Sequence, residues 1–340
     1  MDRGAGDRRV RARLSAHALP RVSEAGPGYQ RIALPLPFAL RSVNAYAVEG
    51  DRLGIVDCGL HTSDGERAFV AGLRELGRER GDVRDVFVTH LHPDHIGMAG
   101  WLESAGARVH MHAPEADAAR AMWFDGAARR DEARAWLLAN GMPLPVIEGM
   151  AEAWLEAQRH VDRVERIDAI RDGAVLDLAG RRLRLIWTPG HTDYHAVLYD
   201  ERERILVGGD HVLPRITPNI GLYPWGRDDP LGDFLGSLAK VATLDVVRVL
   251  PAHGDPFDDL RGRAEAIAAH HLARLDAIRE ALAGGPKDAY VVARRLFPVL
   301  RSAHEERFAH AEVLAHLRYL ERRAQVMSEA TTPVRWALMP

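Results

Sequence analysis

The sequence predicts an α+β protein: a body of mixed strands and helices, followed by a small and mostly helical module. Three observations predict this. β-prone runs bounded by turn residues recur between residues 30 and 253. Segments with helical spacing are interleaved with them in the first half of the chain. Past residue 260 the composition shifts to long stretches rich in Ala, Leu and Arg. At 340 residues the chain is longer than one average domain and within reach of two. A hydrophobic fraction of 47% is enough to bury a real core.

Residues 1–24 begin "MDRGAGDRRVRARLSAHALP", which is Arg-rich and lacks an apolar h-region, so they read as a flexible tail and not as a secretory signal. The body spans 25–260. In it, "VNAYAV" and "LGIVDCG", joined by "EGDR", form a β-hairpin. "DGERAFVAGLRELG" is a helix ending at a glycine, and "VRDVFVT" is a strand. An apolar helix, "IGMAGWLES", and another strand, "ARVHMHA", follow. Residues 115–165 break this rhythm as a helical insertion. "PEADAARAMWFDGAARRDEARAWLLANG" and "PVIEGMAEAWLEAQRHV" are two amphipathic helices separated by "NGMPLP". Their Trp123, Phe124, Trp136 and Trp154 are bulky for a connector, which leaves a packed face and a lid both open. Strands resume with "AVLDLAG", "RRLRLIWT", "HAVLYDE", "RILVGGD" and "VVRVLPAHG". Residues 261–340 hold three helices and the β-prone "TTPVRWALMP", the pattern of a winged-helix module. No 20–50-residue period repeats, so a solenoid is excluded.

The net charge of -3 carries no whole-chain signal for nucleic acid or a membrane surface. A single cysteine, Cys58, excludes an internal disulfide and favours a reducing compartment. No apolar stretch approaches the ~20 residues that span a bilayer. A cytoplasmic protein with no membrane association is the expectation.

The chemistry is concentrated in "THLHPDH", residues 89–95. His90 and His92 alternate on an extended segment, so their rings can converge on one ion. Pro93 then turns the chain, and Asp94 and His95 point elsewhere, toward a second ion. Alone this loop has too few ligands for two metals. His191 in "TPGHT", Asp210 in "VGGDH" and His253 in "LPAHG" supply more, each at a strand end beside glycines that allow sharp turns. Neutral imidazoles and carboxylates are the ligands that catalytic zinc takes while keeping a position open for water.

"THLHPDH", "PGHT", "GGD" and "PAHG", in this order, resemble the metallo-β-lactamase-fold hydrolases over roughly residues 30–260. The resemblance implies an αββα sandwich with two divalent ions at one edge of its sheets. Zinc is the first expectation, and iron and manganese are the alternatives. It assigns His90, His92 and His191 to the first metal, Asp94, His95 and His253 to the second, and Asp210 to both. Asp57, in "IVDCG", resembles the aspartate that supports the site from behind the ligands. "TPGHTDYHAVLY" together with the C-terminal module resembles a subgroup that carries a winged helix. That subgroup includes mitochondrial endoribonucleases and hydrolases assigned to acyl and thioester substrates. The glutathione-binding C-terminal helices of the glyoxalase II group are missing, which argues against a glutathione thioester.

Two ions a few Å apart bring a bridging water toward ionisation near neutral pH, and the resulting hydroxide attacks a polarised carbonyl or phosphoryl group. Asp94, Asp57 and His195 are the candidate catalytic side chains. Asp94 orients the hydroxide and Asp57 accepts from a ligand imidazole. His195 is either a proton shuttle or a hydrogen-bonding support. His110 and His112 alternate like a ligand pair but lack a carboxylate partner in the sequence pattern, and are read as structural, as is His211. His270, His271, His304, His310 and His316 are read as surface or packing residues. The aromatic segments suggest an apolar acyl pocket lined by Tyr223, Trp225, Trp123 and Trp154, and so a small thioester or ester substrate.

Two alternatives use the winged helix: an endoribonuclease cleaving single-stranded RNA, with Arg318, Arg322 and Arg323 on phosphates, and a metal- or ligand-sensing DNA-binding regulator. Residues 256–340 hold twelve Arg and one Lys against eleven Asp and Glu, a net of +2. That is weakly basic for nucleic acid and equally suits a solvated face or a homodimer contact.

Overall fold

The structure is a computed structural model that describes residues 21–37, 40–125 and 129–340. Among them, two mixed sheets lie face to face. The first has the spatial order β1 (Val22–Gly26), β2 (Tyr29–Pro35), β3 (Ser42–Glu49), β4 (Leu53–Val56), β5 (Val83–Val88), β6 (Arg108–His112), β7 (Ile167–Ile170). It is antiparallel as far as β4 and parallel from β4 to β7. The second runs β12 (Arg248–Pro251), β11 (Ile205–Gly209), β10 (Ala196–Asp200), β9 (Arg181–Trp187), β8 (Val175–Leu178), with only the β11–β12 pair parallel.

The period-two alternation of the strands builds three apolar layers. On β3, Tyr46 and Val48 point between the sheets, where Leu185 of β9, Leu198 of β10 and Val207 of β11 meet them. Val43, Ala45 and Ala47 of the same strand point the other way, toward α1 (Ser63–Glu75). Thr62 caps α1 by accepting from Gly65 N at 3.0 Å. Phe69 and Leu73 of α1 are fully buried on that face, worth roughly 2–3 kcal/mol each. On the far side, Val197, Tyr199 and Leu206 of the second sheet face α7 (Pro230–Val241) and α8 (Leu260–Leu282). The order helices, sheet, sheet, helices is the four-layer arrangement expected.

The hairpin β3–β4, the strands β5 and β6, and the strands β8 to β12 form where the sequence predicts them. The apolar segment leaving the 89–95 loop forms two short helices, α2 (Pro93–Ile96) and α3 (Ala99–Glu103). Four expectations are corrected. The segment read as a tail to residue 24 already contains β1, because Val22 pairs with Ile32 of β2; residues 1–20 lie outside the described residues. The first helix of the insertion is broken. It runs as α4 (Ala113–Ala119), passes into a π-helical turn over Arg120–Phe124, and resumes as α5 (Arg129–Ala139), with 126–128 outside the described residues. The second insertion helix is α6 (Leu144–Gln158). β7 is absent from the sequence reading: "RIDAI" is short, and only pairing with β6 makes it a strand. So is α7, although Asp229 followed by Pro230 is a helix-start signal, and Asp229 accepts from Gly232 N at 2.9 Å.

The C-terminal elements are α8, α9 (Ala289–Leu296), α10 (Ala303–Glu321) and a small sheet in the order β13 (Lys287–Asp288), β15 (Arg335–Leu338), β14 (Val326–Glu329). They have no separate core. Leu275, Val292, Val313 and Trp336 belong to the same apolar cluster as Val197 and Leu206 of the second sheet. Among the described residues no helix is long and apolar enough to cross a membrane.

Candidate metal centre

The parallel strands β4 and β5, and β11 with β12, end at one edge of the sandwich, and the candidate ligands follow their last residues. Asp57 follows β4, His90 and His92 follow β5, Asp210 follows β11 and His253 follows β12; His191 lies in the turn between β9 and β10. Gly209 takes φ +50°, and a side chain there would meet the His195 ring at 2.6 Å, so glycine is required to turn Asp210 into the site.

The seven side chains converge in three overlapping groups: His90, His92 and His191; His90, His95 and Asp210; Asp94, His95 and His253. Within each, the ligand atoms lie within 4.8 Å of one another. His90 Nε2 is 2.9 Å from His92 Nδ1, which is 3.0 Å from His191 Nε2. Asp210 faces both ways. Its Oδ2 is 3.4 Å from His191 Nε2, and its Oδ1 is 3.4 Å from His253 Nε2 and 3.7 Å from His95 Nε2. Asp94 Oδ2 completes the second cluster, 3.4 Å from His253 Nε2 and 3.8 Å from His95 Nε2.

Hydrogen bonds on the outer nitrogens set which nitrogen of each ring faces inward. His191 Nδ1 donates to Asn219 O at 2.8 Å and His253 Nδ1 to Ser42 O at 2.9 Å. His95 Nδ1 donates to Asp57 Oδ2 at 2.8 Å. Asp57, held at φ +55°, also accepts from Thr89 N at 2.8 Å and from the Thr89 hydroxyl at 2.9 Å. That hydroxyl directs its proton to Asp57 and accepts from His90 Nδ1 at 3.0 Å. His90 Nε2 and His191 Nε2 are therefore lone pairs that converge on His92 Nδ1, a clustering of three ring nitrogens that can share one cation. Tetrahedral Zn–N bonds of about 2.0–2.1 Å would put such nitrogens about 3.3 Å apart. His95 Nε2 and Asp210 Oδ1 are buried and have no hydrogen-bond partner among the described residues. Buried, unpartnered polar atoms within a set of His and Asp side chains fit divalent ions.

The charges agree. Burial, reinforced by the neighbouring imidazoles, holds His90 and His92 well below the usual histidine range, so both keep their lone pairs. Burial would also lower His95, but Asp57, Asp94 and Asp210 outweigh it and raise it to about 9. His253 is pushed up to about 11 because Asp210 and Asp94 overcome its burial. Asp94 falls to about 2 because His95 and His253 outweigh its burial.

Two buried side chains steady the loop: Glu115, which the sequence reading missed, and Trp123, which it gave to a pocket wall. Glu115, the third residue of α4, accepts from Leu91 N at 2.8 Å and from the Thr192 hydroxyl at 2.9 Å, tying the 89–95 loop to the 189–195 turn. Burial raises its carboxyl to about 7. Trp123 Nε1 donates to Leu91 O at 2.7 Å. The backbone between His90 and His92 is thus clamped at both its N–H and its C=O by the insertion. No sequence signal marks Glu115, whose bonds reach across 24 and 77 residues.

Several readings change here. Trp123 is 5% exposed and stacks on the partly buried Trp154 with ring centroids 4.7 Å apart, so the pair packs against the apolar cluster of the first sheet. Tyr223 and Trp225 also stack, at 5.9 Å, and the Tyr223 hydroxyl accepts from Arg307 at 3.1 Å. His195 has no nitrogen free to shuttle protons. Its Nε2 accepts from Asp210 N at 3.2 Å, and its Nδ1 donates to the Thr188 hydroxyl at 2.9 Å. His110 does have a carboxylate partner, Asp85 at 3.0 Å, and His112 donates to Tyr194 O; neither lies in a metal-ligand group among the described residues. His211 is buried edge-on to Phe234. His271, His310 and His316 are buried packing residues. Arg318 and Arg322 face Asp228, and Arg323 pairs with Asp229 at 3.0 Å, so the arginines expected to meet phosphates meet carboxylates of the loop before α7.

The family model of the metallo-beta-lactamase superfamily matches residues 39–253. The chain belongs to the metallo-beta-lactamase superfamily. It is similar to a crystal structure of a metallo-beta-lactamase family protein from Thermus thermophilus, with 37% identity and a TM-score of 0.84, covering 92% of this chain and 99% of that one. It is 27% identical over 307 residues to the probable metallo-hydrolase YqjP of Bacillus subtilis (strain 168), covering 87% of this chain and 93% of that protein. It is 29% identical over 226 residues to the acyl-coenzyme A thioesterase MBLAC2 of Bos taurus, covering 63% and 74%. The superfamily and its hydrolase-named relatives make this chain a metal-dependent hydrolase.

Proposed function

We propose that this metallo-beta-lactamase superfamily member hydrolyses a small carbonyl substrate, an acyl thioester or ester. The observation that carries the reading is the two-sided Asp210, with one oxygen toward His191 and the other toward His95 and His253. In this reading His90, His92 and His191 hold one ion, Asp94, His95 and His253 hold the other, and Asp210 contacts both. Zinc suits the imidazole-rich group, and iron or manganese would also be accepted by the carboxylates. When bound, the ions supply an activated water and polarise the scissile carbonyl.

The chain's own residues do the rest. Asp94 is the more exposed of the two site carboxylates, 19% against 10% for Asp210, so it can accept a hydrogen bond from the attacking water and hold it in line. Asp57 and Thr89 fix the rings of His95 and His90. His195 supports the Asp210 backbone. Tyr223 and Trp225 offer a stacked aromatic pair to the acyl portion. Arg307, which has no carboxylate within ion-pair distance among the described residues, offers a cation beside them to an anionic end of the substrate. The similarity to a protein named as an acyl-coenzyme A thioesterase supports a thioester. Residues 261–340 are read as a winged helix that packs on the body, in a cytoplasmic protein.

The test is turnover by purified, metal-loaded protein of acyl-CoA thioesters, aryl esters, lactones and single-stranded RNA, with Asp210→Ala as control. Thioester or ester turnover that is lost in the control is the expected result. Cleavage of RNA with no turnover of any carbonyl substrate overturns it.

A further inference from the structure

The outer nitrogen of His191 is held from an unexpected direction. Its partner, Asn219 O, lies in the loop between Asp210 and α7, which has no strand or helix of its own over residues 211–229. Such a loop carries no ladder of backbone bonds to fix its carbonyls, so side-chain anchors decide where they point. Around Asn219 the anchors come from α10, while Arg263 of α8 donates to Leu213 O and Ile216 O earlier in the loop. Asn219 Nδ2 donates to Phe308 O and to Glu312 Oε2, both at 3.2 Å. Leu222 N donates to Ala311 O at 3.1 Å. Phe308, Ala311 and Glu312 are spaced three and four residues apart, so one face of the C-terminal helix grips the loop.

Glu312 is itself held. Its side chain is 14% exposed, and its Oε1 lies 3.7 Å from Arg274 Nε of α8. His90, by contrast, takes its orientation from Thr89 and Asp57, inside the body of the sandwich. Of the three imidazoles in that group, His191 is therefore the one whose donor chain ends in the C-terminal helices.

We infer that Asn219 and Glu312 are positioning residues for His191, and that the C-terminal module is in this way a working part of the metal centre and not an appended unit. This rests on the reading that His90, His92 and His191 hold a divalent ion. Losing the Asn219 anchor frees the loop carbonyl and lets the His191 ring turn, while the Asp94, His95 and His253 group keeps its own supports in Asp57 and Ser42. The effect is therefore on one ion of the two.

Three variants test this. Asn219→Ala keeps the backbone carbonyl and removes the side-chain donor. Glu312→Leu removes the acceptor, and Glu312→Gln restores an acceptor oxygen without the charge. The readouts are metal per chain by elemental analysis, affinity by competition with a chromophoric chelator, and the visible spectrum of the cobalt(II) protein. The expected result is about a tenfold or greater loss of affinity for one of two ions in Asn219→Ala and Glu312→Leu, with a changed cobalt spectrum. The other ion binds as in the wild type, and Glu312→Gln stays near the wild type. If Glu312→Leu fails to fold because Arg274 is left unpaired, Asn219→Ala decides. Folded variants that bind both ions with wild-type affinity and spectrum overturn the inference alone, as does equal weakening of both ions. A wild-type protein that binds no divalent ion overturns the underlying reading instead.

Discussion

Asp57 Oδ2 accepts a hydrogen bond from His95 Nδ1 at 2.8 Å, with both side chains buried. The same carboxylate accepts from the amide and the hydroxyl of Thr89, so one residue at the end of β4 sets two rings on the neighbouring loop. Replacing it strands a buried imidazole and a buried amide at once. Asp57→Ala is expected to lose about 3–5 kcal/mol of stability in the metal-free protein. It should also bind metal about 10–100-fold more weakly. Denaturant unfolding and metal titration check this. A stability within about 1 kcal/mol of wild type would show that the aspartate is only a turn residue.

Metal uptake should release protons. In the metal-free site His95 and His253 are raised to about 9 and about 11 by the carboxylates around them, so both are protonated at pH 7. A ligand imidazole must be neutral, so the ion held by His95 and His253 displaces two protons, and its apparent affinity rises with pH through this range. Calorimetry in buffers of different ionisation enthalpy counts the protons. Uptake with no proton release at pH 7 would contradict the arrangement.

Glu115 gives the metal-free fold a pH dependence of definite sign. Burial raises its carboxyl from 4.5 to about 7, so the folded state holds a proton that the unfolded state has lost. Its stabilising contribution is fully present below pH 4.5 and is lost as pH rises through about 7. Relative to Glu115→Gln, the wild type should lose up to about 3 kcal/mol across that window, at 1.36 kcal/mol per unit. Unfolding curves at several pH values in the presence of chelator measure the difference. Parallel pH profiles for the two proteins would refute it.

Trp123 separates packing from substrate contact. It is buried, stacks on Trp154 and bonds to Leu91 O between two candidate ligands. Trp123→Ala is expected to cost about 3–5 kcal/mol through the cavity it leaves. Trp123→Phe keeps most of the volume and should lose about 1 kcal/mol with the hydrogen bond. A raised KM for the best substrate at unchanged Tm in Trp123→Ala would return this residue to the pocket wall.

What was legible in the sequence is what backbone geometry dictates at short range. Alternation along an extended segment brings His90 and His92 onto one side, and Pro93 turns Asp94 and His95 away. Turn residues flank His191, Asp210 and His253 at strand ends. β-prone runs bounded by turn residues were enough to place β3, β5, β10 and β11, whose apolar residues face two different layers. β7 was not legible, because four residues become a strand only when β6 is beside them.

Tertiary structure decided which nitrogen of each ring faces inward and what holds it there. Those partners lie far along the chain: Asn219 is 28 residues from His191, Asp57 is 38 from His95, and Ser42 is 211 from His253. No local spacing encodes contacts at such separations, since they exist only once the two sheets and the C-terminal helices have packed. Packing also turned Trp123 inward onto Trp154 of α6, because Trp123 sits in a π-helical turn that changes the face a straight helix would have presented. Residue types and their order picked out the candidate ligands by themselves; the fold determined how firmly each of these side chains is held.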